Sequence, residues 1–358
     1  MKVAYDVGPL LDPPTGVGRY TKELGRALEA RAVELVRYAV ALRGSSDGIA
    51  ARWRVPARVA QSAWSRLGRP SLEALVGTVD LVHATNFVLP SLARTPGVVT
   101  VHDLSFFRDD TFPGGERLRK LVPWSARRAA AVLVPSRAIA GEVEARLEVP
   151  GDRIHVTHEG VAPVFFGATP LADAALARLG ISRPYAVAVG TLEPRKNLGR
   201  LLQAWTDVAD SLRMWTLVLA GPPGWGPQLP PVAGVVPIGW VGDATLPGLL
   251  AGAEVFCYPS LYEGFGLPPL EAMAAGTPAL VGGYPAAEEV LGDACMVVDP
   301  EDTSALGAGL ERLAHDGRLR RRLSLAGKTR AAGYTWAGTA RATTAAYEAA
   351  VEATRGSE

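Results

Sequence analysis

Residues 254–283 read EVFCYPSLYEGFGLPPLEAMAAGTPALVGG. Two short apolar runs, VFCY and ALVG, flank a segment that opens on Gly-Phe-Gly and two prolines and continues as LEAMAAG. Prolines preset the backbone of a helix's first turn, and a run that is apolar at every position suits a parallel strand covered on both faces. The stretch therefore predicts strand, loop, helix, strand. Inside it Glu263 and Glu271 stand eight positions apart.

The same alternation extends outward in both directions. KVAYDV, VELVRYAVAL, VDLVHA, VVTVHD, AVLVP and RIHVTHE punctuate the first half; YAVAVG, WTLVLAG, VVPIG, EVFCYPS, PALVGG and CMVVD punctuate the second. Two such series, separated by helical stretches, predict an α/β chain with two doubly wound Rossmann-like domains. Residues 160–185 carry prolines, a glycine and a short Ala-rich helix and read as the linker, with a second break near 334–336. The expected division is 1–168, 169–335 and an amphipathic C-terminal helix at 336–358. Ligands of such folds gather at carboxyl ends of strands and at helix N-termini, so the motif residues are expected to face one another across a cleft.

Composition narrows the function classes. The chain has 358 residues, 48% hydrophobic and 20% charged, with 37 Lys+Arg against 36 Asp+Glu. That balance argues against a protein dedicated to nucleic acid. Cys257 and Cys295 sit in apolar runs without metal-ligand spacing and read as small buried hydrophobes. MKVAYDVG has no apolar signal core, and no run of about 18 apolar residues would span a bilayer. The expectation is a cytoplasmic protein.

Four motifs carry chemistry. GVGRY (Gly16, Gly18) follows the first strand and a Pro-rich loop; its glycines would let backbone N–H groups approach an anion, or simply make a tight turn. TVHDLSFF puts His102 and Asp103 at the end of a buried strand, and His83 holds a similar place one strand earlier. VGTLEPRKNLGRLLQAW places Glu193, Arg195 and Lys196 in the loop before a helix that Asn197 is expected to cap. Two cations at a helix start oppose its dipole, which implies an absent polyanion. In the opening stretch Glu271 falls in the predicted first turn of its helix, where simple stabilisation would explain it. Glu263, in a Gly-rich loop, is placed to accept hydroxyl hydrogen bonds, beside backbone N–H groups of Gly264, Phe265, Gly266 and Leu267. Carboxylates for hydroxyls beside cations for a polyanion suit a nucleotide sugar.

GTLEPRKNL, the run 238–281 and GDACMVVDPED, together with GVGRYTKEL, VTVHDLSFF, SARRAAAVLVPSRA and RIHVTHEGV, resemble the retaining glycosyltransferases of family 4. The resemblance covers essentially the whole chain and is strongest to bacterial, mannosyltransferase-like members. It implies the GT-B architecture, with an acceptor-side domain at 1–168, a nucleotide-sugar-binding domain at 169–335, and a C-terminal helix crossing back to the first. By position, Arg195 and Lys196 would bind the donor diphosphate, Glu263 the transferred sugar and Glu271 the ribose. Gly264, Phe265, Gly266 and Leu267 would complete the phosphate cradle. His102 would approach the sugar, Gly16 and Gly18 would close over the diphosphate, and Trp240 and Val241 would line the base pocket. The stretch GGYPAAEEVLGDA departs from the family pattern ahead of Glu289, and residues 43–75 match nothing assigned.

The reaction so implied moves a sugar, with a lean to GDP-mannose, onto an acceptor hydroxyl with retention by front-face attack. No cofactor or metal is expected, since the chain has no Asp-x-Asp. A nucleotide-sugar epimerase of similar shape and a non-catalytic nucleotide-sugar-binding protein remain as alternatives. A dehydrogenase is disfavoured because no strand is followed by Gly-x-Gly-x-x-Gly. The acceptor is expected to be a glycan, a lipid-linked sugar or a small molecule. Residues 52–69 hold Arg52, Arg54, Arg58, Arg66 and Arg69 with Trp53 and Trp64 and no acidic residue. That stretch suits either peripheral contact with the inner face of a membrane or a solvated basic surface.

Overall fold

The computed structural model of the protein describes residues 1–11, 15–44 and 48–356. Residues 12–14 of the Pro-rich loop, 45–47 of the unassigned stretch and 357–358 of the tail lie outside the described residues. The chain forms two compact units, Met1–Gly160 with Thr335–Glu358, and Val161–Tyr334.

Unit 1 is built on β1 (Lys2–Asp6), β2 (Glu34–Val40), β3 (Ala51–Trp53), β4 (Leu81–Ala84), β5 (Gly97–Thr100), β6 (Ala131–Val134) and β7 (Ile154–Val156). Their order is β3-β2-β1-β4-β5-β6-β7, with every pairing parallel. Central strands β4, β5 and β6 are buried at every residue, as continuous apolar runs require. The helices are α1 (Gly16–Glu29), α2 (Ala57–Leu67), α3 (Glu73–Val76), α4 (Gly115–Arg128) and α5 (Arg137–Leu147). Thr15 caps α1 by accepting the Gly18 N–H, and Ser136 caps α5 by accepting that of Ile139.

Unit 2 carries β8 (Tyr185–Val189), β9 (Thr216–Ala220), β10 (Val235–Gly239), β11 (Val255–Tyr258), β12 (Ala279–Gly282) and β13 (Met296–Val298) in the order β10-β9-β8-β11-β12-β13, again all parallel. Its helices are α6 (Asp173–Arg178), α7 (Leu198–Asp207), α8 (Leu246–Ala251), α9 (Leu267–Ala274), α10 (Ala287–Leu291), α11 (Thr303–His315) and α12 (Gly317–Ala332). A core of Leu201, Leu202, Trp205, Leu217, Leu306 and Leu310 joins α7 and α11 to the sheet. Burying each such leucine contributes roughly 1.5–3 kcal/mol. Both cysteines are buried and unpaired in this unit.

The last helix, α13 (Trp336–Arg355), belongs to unit 1 and packs on α1 and on β5, β6 and β7. Its buried residues Thr339, Ala340, Thr343, Ala346, Tyr347 and Ala350 form one helical face. Gly160, at the crossing between units, has no room for a side chain, since a Cβ there would lie 2.2 Å from the Trp336 nitrogen.

All twelve strands expected from the sequence are present. β3 was not expected: it is an edge strand of three residues within the stretch that matched nothing, with Arg52 at its centre. Each sheet has one point where strand order reverses, between β1 and β4 in unit 1 and between β8 and β11 in unit 2. Ligands of open α/β sheets bind outside the carboxyl ends of strands at such points.

Candidate active site

In unit 2 the reversal point gathers the charged motif residues. β8 runs into the loop of Glu193 and a single 3-10 turn, Pro194–Lys196; β11 runs into the loop of Glu263. Because β8 and β11 are neighbours, the two loops meet. Lys196, buried, donates from Nζ to Glu263 Oε1 at 2.6 Å and to Tyr258 Oη at 2.7 Å. Arg195 donates from Nη1 to Glu263 Oε2 at 2.5 Å and to the Tyr262 carbonyl at 3.2 Å. Its Nε lies 2.5 Å from Glu193 Oε1, close but not aligned as a hydrogen bond.

Burial alone would push the Glu263 carboxyl up, but the Arg195 and Lys196 charges outweigh it and bring the group down to about 2. Burial draws the Lys196 ammonium below its ordinary value, and Glu263 counters part of that. The trio is thus an ion cluster at neutral pH. This corrects one expectation: the two cations do not by themselves imply an absent polyanion, because Glu193 and Glu263 already balance them. One proton of the Lys196 ammonium still has no partner among the described residues.

Two further local readings change. Asn197 stands at the start of α7 but does not cap it with its side chain. Its backbone is left-handed (φ 56°), and its amide donates to the carbonyls of Pro259 and Pro300, at 3.1 and 2.6 Å. Asn197 therefore ties the β8 loop to the end of β11. Glu271 is not in a first turn either. α9 begins at Leu267, so Glu271 is its fifth residue, buried inside the unit.

Gly266 precedes α9 with φ 102°, and a Cβ there would lie 2.1 Å from Tyr284 Oη. Only glycine fits. Gly264 and Phe265 complete this loop, with Phe265 buried edge-on against Tyr334 at 5.6 Å. Pro268 and Pro269 carry no N–H, so the backbone donors at the helix start come from Gly266 and Leu267. Trp240 and Val241 follow β10; Trp240 is exposed and Val241 half-buried.

In unit 1, His102 follows β5 and is buried. Its Nε2 lies 2.8 Å from the Thr85 carbonyl. A carbonyl only accepts, so Nε2 carries a proton. Nδ1 faces Glu159 Oε1 at 3.6 Å, and the Tyr20 ring packs edge-on at 4.7 Å. His83 is different. It bridges Tyr347 Oη (2.6 Å) and Thr100 Oγ1 (2.8 Å) inside the core, and burial pushes its imidazole down to about 3. It is a neutral structural link to α13. Asp103 accepts from the Ser105 backbone and hydroxyl, closing a turn. At GVGRY the Gly18 N–H is taken by Thr15 at 3.2 Å, while Gly16 is exposed with nothing near its Cβ position.

The Arg/Trp stretch is also partly inside the fold. Trp64 is buried and donates to the Pro70 carbonyl, and Trp53 packs on it with centroids 6.3 Å apart. The Arg52 guanidinium is held by the carbonyls of Ala41, Arg43 and Gly44. Arg54, Arg58, Arg66 and Arg69 remain exposed. No helix among the described residues is long and apolar enough to cross a membrane. Sequence reasoning missed Tyr258, which accepts a hydrogen bond from Lys196, and Glu159, which lies against His102. The signal was only their position at or just beyond a strand end.

Family models match both halves of the chain. Residues 14–164 match Glycosyltransferase Family 4, and residues 177–330 match Glycosyl transferases group 1. The chain is 31% identical over 375 residues to the O-antigen chain mannosyltransferase B of Escherichia coli, covering 94% of this chain and 96% of that one. The chain is a family 4 glycosyltransferase. The MMP alpha-(1->4)-mannosyltransferase of Mycolicibacterium hassiacum is 33% identical over 237 residues, covering 63% of this glycosyltransferase and 56% of the relative. Among solved structures, sucrose-phosphate synthase from Thermosynechococcus elongatus has a TM-score of 0.77 at 20% identity, covering 97% of this chain and 98% of its own. The Anabaena HepE protein in complex with UDP-glucose has a TM-score of 0.71 at 17% identity over 100% of both chains. These two establish the GT-B fold for the glycosyltransferase.

Proposed function

We propose that this glycosyltransferase moves a hexosyl group, mannose from GDP-mannose, onto an acceptor hydroxyl with retention of anomeric configuration and without a metal. The observation that carries the reading is the unspent proton on the buried Lys196 ammonium, held beside the ionised Glu263 carboxylate. Negative charge grows on the departing diphosphate in the transition state. A fixed ammonium and backbone N–H groups in a dry site stabilise such charge without reorganisation. Glu263 is held ionised, and a carboxylate has about four acceptor sites. Lys196 and Arg195 occupy two, which leaves capacity for hydroxyls of the transferred sugar. We assign Glu271 to the ribose, Trp240 and Val241 to the base, and His102 to the sugar. The mannosyl donor is supported by the relatives' names, which include mannosyltransferases from two bacteria. Retention by front-face attack rests on the family resemblance.

Calorimetric titration with GDP, UDP, dTDP and ADP, with a chelator present, tests the reading. GDP is expected to bind, and GDP-mannose to release GDP only when acceptor is added. Preference for UDP would overturn the mannosyl donor; binding that requires a divalent ion would overturn the metal-free cradle.

Unit 1 is proposed to take the acceptor. If that acceptor is lipid-linked, Arg54, Arg58, Arg66 and Arg69, with exposed Val59 and Leu67, offer a basic surface to anionic lipid. Co-sedimentation with phosphatidylglycerol vesicles is expected to fall when Arg58 and Arg66 are both changed to Glu. Equal sedimentation of both proteins would remove the membrane contact.

A further inference from the structure

The reversal point of unit 1 holds a cavity of about 390 Å³. That size is within the range taken by small-molecule sites. Asp6 ends β1, Tyr38 lies on β2, Gln61 and Trp64 on α2, and Asn86 just beyond β4; all five line it. None of them belongs to the charged site of unit 2.

Three of these wall residues carry a buried oxygen without a hydrogen-bond partner among the described residues: Tyr38 Oη, Gln61 Oε1 and Asn86 Oδ1. Tyr38 is only 2% exposed. Buried polar atoms are nearly always paired, so three orphans around one cavity call for a reason. The Trp64 N–H is already spent on Pro70, so the residue offers the cavity only its ring.

The count of donors and acceptors sets the ligand's chemistry. The two amide oxygens only accept. The Asp6 carboxylate, which takes the Gly8 N–H at 2.8 Å, also only accepts. The Tyr38 hydroxyl and the amide N–H groups of Gln61 and Asn86 can donate. Such a wall suits groups that both donate and accept, as hydroxyls do, with donors to spare for the two amide oxygens and Asp6. A phosphate or carboxylate brings acceptors only and would face the Asp6 charge; the cation of the lining, Arg43, is exposed at the mouth.

We propose that this cavity binds the terminal, uncharged pyranose of the acceptor, with its hydroxyls donating to Gln61, Asn86 and Asp6. The orphan oxygens are buried in the wall, so they reach the sugar by small side-chain rotations as it enters. The inference rests on the reading of unit 1 as the acceptor side. It adds the chemical class, a neutral hexopyranoside, and the residues that select it.

Saturation-transfer NMR of the full chain with methyl hexopyranosides, hexose 6-phosphates and inorganic phosphate tests it. Neutral glycosides are expected to bind. Gln61→Leu and Asn86→Leu are each expected to weaken that binding about tenfold or more, without lowering the melting temperature, because neither removes a bond the folded protein makes. A melting temperature that falls while binding holds would assign these residues to structure and overturn the proposal. So would inorganic phosphate displacing the glycosides, or no saturation transfer to any glycoside in the wild-type chain. GDP titrated into the same variants is expected to bind as in wild type. Failure of GDP to bind even the wild-type chain would sink the donor reading, while glycoside binding would still stand.

Discussion

The two sheets share a topology and use their reversal points in opposite ways. In unit 2 the loops after β8 and β11 meet in a cluster where the Glu263 carboxylate holds both cations. In unit 1 the same kind of place holds a cavity whose wall contains three unpartnered oxygens. The difference follows from magnitudes. A buried ion without a partner costs several kcal/mol, so the charged machinery must be complete before any ligand arrives. A buried neutral oxygen without a partner costs about 1–3 kcal/mol. A fold stable by about 5–15 kcal/mol can carry a few of those, and an arriving hydroxyl then recovers the deficit.

The strongest way to break this comparison is to remove one member of the ion cluster. Lys196→Met leaves Glu263 buried with Arg195 as its remaining cation. It is expected to lower the stability of unit 2 by about 3–5 kcal/mol, read by thermal unfolding, and to abolish transfer. The double variant Lys196→Met, Glu263→Leu is expected to regain much of that stability while staying inactive, since it no longer buries a carboxylate that has lost one of its two cations. If the single variant melted within a degree of wild type, the cluster would not be the coupled unit described.

How much of this was legible beforehand depends on what each feature needs from the chain. Strands covered on both faces are nearly continuous apolar runs, so β4, β5, β6, β9, β11 and β12 announce themselves. β3 has no such obligation. It is three residues at a sheet edge, half-buried, with Arg52 in the middle. Arg195, Lys196 and Glu263 were legible as loop residues after apolar strands, and the structure brings them together. Their contact depends on β8 and β11 being neighbours although two strands separate them in sequence, which no local pattern encodes. The cavity was illegible for the same reason: its wall draws on β1, β2, α2 and the segment after β4. Local rules misled at Asn197 and Glu271. A left-handed residue reaching two distant carbonyls looks like a cap in sequence, and two prolines mark a helix start only to within a residue or two. The unexpected strand also shapes the cavity. β3 pairs Ala51 with Tyr38, and Arg52 holds the carbonyls of Ala41, Arg43 and Gly44 along the mouth.

A smaller effect sharpens the comparison from the side of unit 1. Burial pushes the Asp6 carboxyl from its ordinary 3.8 up to about 6, against the pull of the Gly8 N–H. Glu263 moves the other way, to about 2, because cations face it. The two carboxylates therefore have opposite linkage to folding. Glu263 contributes stability that is present above its unfolded value near 4.5 and is lost as pH falls toward 2. Asp6 binds its proton more tightly in the fold than in the open chain, so it costs stability increasingly as pH rises from about 4 through 6, and that cost persists at pH 7. Asp6→Asn keeps an acceptor for Gly8 and removes the charge. It is expected to stabilise the protein by about 1–2 kcal/mol at pH 7, a figure discounted because part of Asp6 touches solvent. Near pH 4 the variant and wild type are expected to melt together. His83, whose imidazole stays neutral down to about 3, destabilises both proteins alike as pH falls below its ordinary 6.5, so it cancels from the difference. A gain at pH 7 that disappears at pH 4 would mark Asp6 as a charge held without a cation, kept for a ligand that donates hydrogen bonds. An equal change at both pH values would mean that the carboxylate is balanced within the fold, and the contrast between the two reversal points would fail at its charged member.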